Sequence, residues 1–260
     1  MNTYHVVLVG LVALAVGSFL NVVIYRLPRG IMWRSSRSIC PSCGEKLRWY
    51  HNVPVISYAV LVGRCGYCAR RISLRYPLVE LLNVALWLLV LYLLGPGWQF
   101  AGFSLLMSGL IAVFFIDLDH QIIPDSITLP GLVVGLALSL APGGIGIVQS
   151  GIGVLAGGLG LLLVAMAGDW LFKKESLGGG DIKMAAMLGA FLGWQKLMFV
   201  FIAAAFIGVV VSVIWMTISA RVRSTRMIPF GPFLAAAAVV AMTWGDTIIK
   251  YYKTNFLGLG

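Results

Sequence analysis

Apolar residues in this chain run in long unbroken stretches, not in the alternating pattern of a half-buried strand. The stretches cover about 4–25, 78–95, 98–116, 127–145, 148–172, 182–218 and 229–249. A continuous apolar run of about 20 residues is long enough to cross a bilayer as a helix, whereas a membrane barrel strand alternates with period two. The stretch 182–218 is too long for one crossing and divides at Gly193-Trp194-Gln195-Lys196 into about 182–193 and 197–218. The pattern therefore predicts an all-α, polytopic membrane helical bundle of about eight transmembrane helices. The sixth of these is short, since twelve residues of helix rise only about 18 Å against a hydrocarbon layer of about 30 Å. The glycine-rich run Gly151–Gly160 reads as close helix packing and not as a phosphate loop.

Composition agrees with the pattern: of 260 residues, 60% are hydrophobic and 11% charged, and mean hydropathy is +0.96. A soluble protein of this size needs more polar surface than that. The net charge of +10 is concentrated, with 10 of the 19 lysines and arginines between Arg26 and Arg75. This is the bias of a loop retained in the cytoplasm, and no aromatic-basic platform for nucleic acid accompanies it. With 26–76 inside, the segment Asp117–Asp125 also faces inward, as do Lys173, Lys174, Lys183, Arg221, Arg223 and Arg226. Lys196 falls outside, and so does the tail with Lys250 and Lys253, against the charge rule. The first stretch lacks a basic start and stays apolar to Ile24, which reads as a retained span and not a secretory signal. The expected organisation is a first transmembrane helix (1–25), a small cytoplasmic zinc-binding loop domain built on four cysteines (26–76), and a membrane-embedded domain (77–260).

All four cysteines lie in the polar loop, as Cys40-Pro41-Ser42-Cys43 and Cys65-Gly66-Tyr67-Cys68. Two such pairs, 21 residues apart, supply four thiolates to a tetrahedral metal, with zinc favoured over iron. Two disulfides are the rival arrangement, which a reducing cytoplasm disfavours. Four protein ligands leave no open coordination position, so the metal is structural, and it folds a loop with little core of its own.

The chain has nine acidic residues, and their positions carry the remaining information. Asp117, Asp119 and Asp125 cluster between two apolar stretches, and Asp181 closes Gly178-Gly179-Gly180-Asp181 at the start of another. The topology brings Asp117 and Asp181 to the same membrane face. Carboxylates beside the apolar layer are functional or paired. Helix capping is the bland alternative, and it suits Asp125, which precedes Ser126-Ile127, and also Asp181 at a helix start. The glycines favour chemistry for Asp181, because they let a backbone come close to an extended substrate and leave room for a second carboxylate. Two carboxylates in hydrogen-bond reach share a proton: one then activates water and the other polarises a carbonyl. The three histidines (His5, His51, His120) are scattered and no His-Glu-x-x-His occurs, which argues against a zinc protease. A proton-coupled transporter wants midplane acids and an internal repeat, and neither is visible.

With these features in this order, nearly the whole chain resembles the type IV prepilin peptidases, the leader peptidase/N-methyltransferases among the GxGD-type intramembrane aspartyl proteases. The resemblance is carried by Gly17-Ser18-Phe19-Leu20-Asn21 with Arg26-Leu27-Pro28, by His51-Asn52-Val53-Pro54 between the cysteine pairs, and by Arg75-Tyr76-Pro77-Leu78-Val79-Glu80-Leu81. Asp117 stands eight residues before the Asp125 of an Ile-Pro-Asp turn, and Gly178–Asp181 matches Gly-x-Gly-Asp. The resemblance implies Asp117 and Asp181 as the catalytic pair, with Gly178 and Gly180 in the active-site loop. It implies a prepilin or pseudopilin substrate with a basic leader, cleaved after a glycine at the cytoplasmic side of the bacterial inner membrane. It also implies methylation of the new N-terminal residue from S-adenosyl-L-methionine; no Rossmann fingerprint is present and no methyl-donor residues are assigned.

Overall fold

The computed structural model describes residues 3–32, 38–40, 42–173, 177–218 and 229–256. Every apolar stretch of the sequence is helical over most of its length. The helices are α1 (Thr3–Arg26), a five-residue α2 (Ile56–Val60), α3 (Arg75–Leu94), α4 (Trp98–His120), α5 (Asp125–Ser139), α6 (Ile147–Phe172), α7 (Gly179–Ile218) and α8 (Gly231–Phe256). Six of them are long and apolar enough to cross a membrane: α1, α3, α4, α6, α7 and α8. The protein is thus a multi-pass helical membrane protein. Among the described residues, extended structure is limited to two isolated bridges in the cysteine loop.

The chain clusters into two compact units, 1–116 and 117–260. In the first, α1 packs along α3. Gly17 makes this approach close, because a Cβ there would stand 2.8 Å from Glu80 Cα. Asn83 then donates to the Ala13 carbonyl at 2.8 Å, Ser108 donates to Asn83 Oδ1 at 2.8 Å, and Trp87 Nε1 donates to Ser108 Oγ at 2.9 Å. In an apolar layer such a chain satisfies polar groups that have no water to turn to.

The second unit is built around α7, which packs on α5, α6 and α8. Met184, Ala185, Met187, Leu188 and Ala190 are almost wholly buried. The glycine-rich run of α6 is a packing surface: Gly153 lies against the Gly189 backbone and Gly157 against that of Ala185. Ser150 Oγ adds a 2.7 Å bond to the Ala190 carbonyl. Helix α7 breaks at Gly193, whose φ of 73° is non-helical, at the point expected from the sequence. Beyond the break, Lys196 pairs with Asp246 of α8 at 2.7 Å. Helix α5 ends earlier than its apolar run suggests, at Ser139. There the Ser139 carbonyl accepts the Gly146 N–H in a turn that uses positive φ at Gly143 and Gly146. Lys174, Arg221, Arg223 and Arg226, used in the topology, lie outside the described residues.

Candidate active site and metal knuckles

Asp117 sits in the last turn of α4, which ends where Gln121 takes a left-handed φ of 55°. Its carboxylate is buried, and Oδ2 accepts the backbone N–H of Gly231 at 3.0 Å. Gly231 is the first residue of α8, and Phe230 begins the helical ladder by accepting the N–H groups of Phe233 and Leu234. The Gly231 N–H is therefore one of the donors that a helix start leaves without an internal partner. Only glycine permits the contact, since a Cβ at 231 would stand 2.6 Å from Asp117 Oδ2 and 3.0 Å from Ile123 Cδ1.

Asp181 lies in the first turn of α7, with its N–H bonded to the Gly178 carbonyl at 3.1 Å. Oδ2 folds back over Gly178, 3.3 Å from where a Cβ would be, as in a capping box. Oδ1 is buried, with no hydrogen-bond partner among the described residues. Capping therefore does not exclude chemistry at this position, because the contact of Oδ2 leaves Oδ1 uncommitted. The segments that hold Asp117 and Asp181 meet at Ile123. Ile123 links the two sides: its Cβ would lie 2.8 Å from a Cβ on Gly180, while its Cδ1 lies against Gly231. Gly180 is therefore required by the approach of the Ile123 segment, whereas a Cβ on Gly179 would meet open space.

Asp125 makes no side-chain cap, contrary to the sequence reading. It is the first residue of α5, after Pro124, and it pairs with Lys183 of α7 at 2.6 Å. The partner explains the difference, since a cation two residues beyond Asp181 draws the carboxylate away from its own helix. Gly231, Ile123 and Lys183 are not visible as site residues in the sequence. The one available signal was Phe230-Gly231-Pro232, a glycine at the foot of an apolar helix.

In the first unit the four cysteines converge. They are free thiols, and the sulfurs of Cys40, Cys43, Cys65 and Cys68 all lie within 4.8 Å of one another. A tetrahedral zinc with four thiolates sets sulfurs about 3.8 Å apart, so the set fits a metal ion. The two knuckles share one hydrogen-bond pattern. Cys40 N–H donates to Glu45 O and Gly44 N–H to Cys40 O, each at 2.9 Å; Cys65 N–H donates to Arg70 O and Ala69 N–H to Cys65 O at the same length. Gly44 and Ala69 occupy equivalent left-handed positions, φ 74° and 55°. Inside the cluster the thiols diverge. The Cys43 backbone N–H lowers Cys40 to about 6. Cys43 rises to about 11: the Glu45 N–H opposes that shift, but desolvation and the Cys40 and Cys68 side chains outweigh it. Sulfurs this close do not all ionise alone, and a cation at their centre removes the conflict.

A bundle of apolar helices with a buried and a half-buried aspartate at helix ends and a four-cysteine knuckle defines the class as a membrane-embedded protein with a candidate diaspartate site. Residues 11–94 match the Bacterial Peptidase A24 N-terminal domain, and residues 104–213 match the Type IV leader peptidase family. The chain belongs to the type IV leader peptidase family. It is 39% identical to the prepilin leader peptidase/N-methyltransferase of Aeromonas hydrophila, covering 96% of this chain and 94% of that protein. It is 37% identical to that of Pseudomonas aeruginosa, covering 93% and 91%, and 35% identical to that of Legionella pneumophila, covering 94% and 93%. No solved structure matches the chain.

Proposed function

We propose that this protein cleaves the leader peptide of type IV prepilins, and of type II secretion pseudopilins, at the cytoplasmic face of the bacterial inner membrane, with Asp117 and Asp181 as the catalytic pair. The observation that carries this reading is buried Asp117 together with half-buried Asp181, which keeps one carboxylate oxygen buried and unbonded within a glycine-lined turn. The names of the similar proteins supply the substrate class.

One proton serves the two carboxylates. The ionised member takes a proton from water as the water oxygen attacks the scissile carbonyl. The protonated member donates to the carbonyl oxygen as it gains charge. The tetrahedral centre then collapses: the C–N bond breaks, the amine leaves with the proton that had been taken from water, and a hydroxyl of the centre returns its proton to the other carboxylate, which restores the shared proton. The Gly231 N–H holds Asp117 in one orientation, and Gly179, which faces open space, is the point of the turn where an extended substrate backbone approaches Asp181. Zinc held by Cys40, Cys43, Cys65 and Cys68 has a structural role, folding the 26–76 loop. The second activity is methyl transfer from S-adenosyl-L-methionine to the new terminal amine, with no residues assigned to it.

The test is cleavage of a prepilin peptide by the purified protein in lipid. Asp117→Asn and Asp181→Asn each abolish cleavage while the protein still inserts, and the double variant is no worse than either, because the pair acts as a unit. Wild-type processing by either single variant rules out the dyad. Methylation of a pre-cleaved peptide, assayed separately, distinguishes the second activity from the first.

A further inference from the structure

The cysteine module carries a surface that neither the metal nor the peptidase reaction uses. In α2, Ile56, Ala59 and Val60 are exposed, and at spacing i, i+3, i+4 they form one helix face. Val62 follows, 81% exposed, and Leu74 is 73% exposed. The rest of the segment is tied down: Ser57 Oγ bonds the Val53 carbonyl at 2.7 Å, Tyr58 OH reaches the Ile72 carbonyl at 3.3 Å, and Leu61 packs toward Gly66. The exposed face is held out by two valines with positive φ, Val55 (60°) and Val62 (50°). That conformation is strained for a β-branched residue and persists only where the surroundings enforce it.

Three observations say what covers this face. Val55 N–H donates to Glu80 Oε2 at 2.8 Å, and Glu80 lies in the second turn of α3, a membrane-crossing helix. The start of α2 is therefore held at the depth where α3 enters the bilayer. Leu74 leads into the exposed residues Leu78, Leu81 and Leu82 of α3, a stripe at helical spacing that faces lipid. Immediately after Val62, Arg64 stands opposite Arg71 in an antiparallel bridge, and both are exposed. Like charges directly opposite one another repel, and the sequence holds no acidic residue between Glu45 and Glu80 to relieve them. An anion resolves that repulsion.

We infer that the metal module rests on the membrane, with Ile56, Val60, Val62 and Leu74 entering the headgroup–acyl boundary and Arg64 and Arg71 binding the phosphates of anionic phospholipid. The metal then rigidifies a bilayer-docked platform and not a loop free in water. A short apolar face flanked by arginines is the chemistry of an interfacial anchor.

The experiment is photo-crosslinking of the full-length, metal-loaded protein in nanodiscs of phosphatidylethanolamine and phosphatidylglycerol. p-Benzoylphenylalanine replaces Val60, and Leu81 in a parallel preparation as the lipid-facing reference. Lipid adducts at position 60 at a yield comparable to position 81 support the inference. A yield at position 60 near background, or adducts to a protein partner in its place, overturns it. In phosphatidylcholine discs, or with Arg64→Gln and Arg71→Gln together, adduct yield at position 60 falls, since each arginine near an anionic surface contributes roughly fivefold in affinity. Unchanged yield in both cases overturns the phosphate contact. Metal stoichiometry equal to wild type confirms that each variant module is folded.

Discussion

Gly231 and Asp117 are 114 residues apart in sequence, yet the backbone N–H of one meets the carboxylate of the other at 3.0 Å in a buried site. The bond uses a donor that α8 cannot satisfy internally, and it gives the Asp117 carboxyl group a fixed orientation. Gly231→Ala brings a methyl group to 2.6 Å from Asp117 Oδ2 and displaces it. A hydrogen bond to a charged group contributes about 1.5–3 kcal/mol, so kcat/KM for prepilin peptide falls at least tenfold. The check is peptide kinetics alongside thermal unfolding, with activity lost well below the unfolding temperature.

Lys183 and Asp125 join the first turns of α7 and α5 at 2.6 Å, with Lys183 two residues from Asp181. Both side chains are about half exposed, and pairs of that kind contribute about 0–1 kcal/mol. Lys183→Ala therefore changes stability little. Its effect on cleavage is expected to be larger, because the pair anchors the turn that carries Asp181. Exchange of the two charges, Lys183→Asp with Asp125→Lys, recovers part of the activity that either single reversal loses. Peptide turnover of the four proteins as a double-mutant cycle measures this.

Metal removal acts on the knuckles. A strong chelator, or Cys65→Ser, opens the module, because the binding energy of the metal is the folding energy of such a loop. Limited proteolysis then cuts within residues 38–72, while the membrane helices stay protected. Acid has the same effect, since protons compete with the metal for the thiolates. Metal content by mass spectrometry, followed against pH, reads it.

The α6–α7 contact tolerates nothing larger than glycine at two facing positions. Gly153 and Gly189 each meet the other's backbone, closer than any Cβ contact allows. Gly153→Val or Gly189→Val pries the helices apart, and overpacking of this kind destabilises by about 1–3 kcal/mol or more. Gly151→Val, where a Cβ meets nothing within 4 Å, is the matched control. Thermal unfolding in detergent separates them.

The sequence by itself determined the helices, the break at Gly193, the four-cysteine set and the aspartates that end α4 and begin α7. Each of these follows from local composition or from spacing along one segment: an apolar run must be helical in lipid, and a Cys-x-x-Cys turn presents two sulfurs whatever surrounds it. Tertiary structure alone decided the rest. Gly231 became a partner of Asp117, Ile123 filled the space beside Gly180, and Asp125 turned from a cap into the partner of Lys183. These are contacts between segments that no spacing rule relates, and they exist because helix packing fixes which glycine faces which neighbour. A glycine reads the same in the sequence whether it meets open space, as Gly179 does, or another chain segment, as Gly180 does.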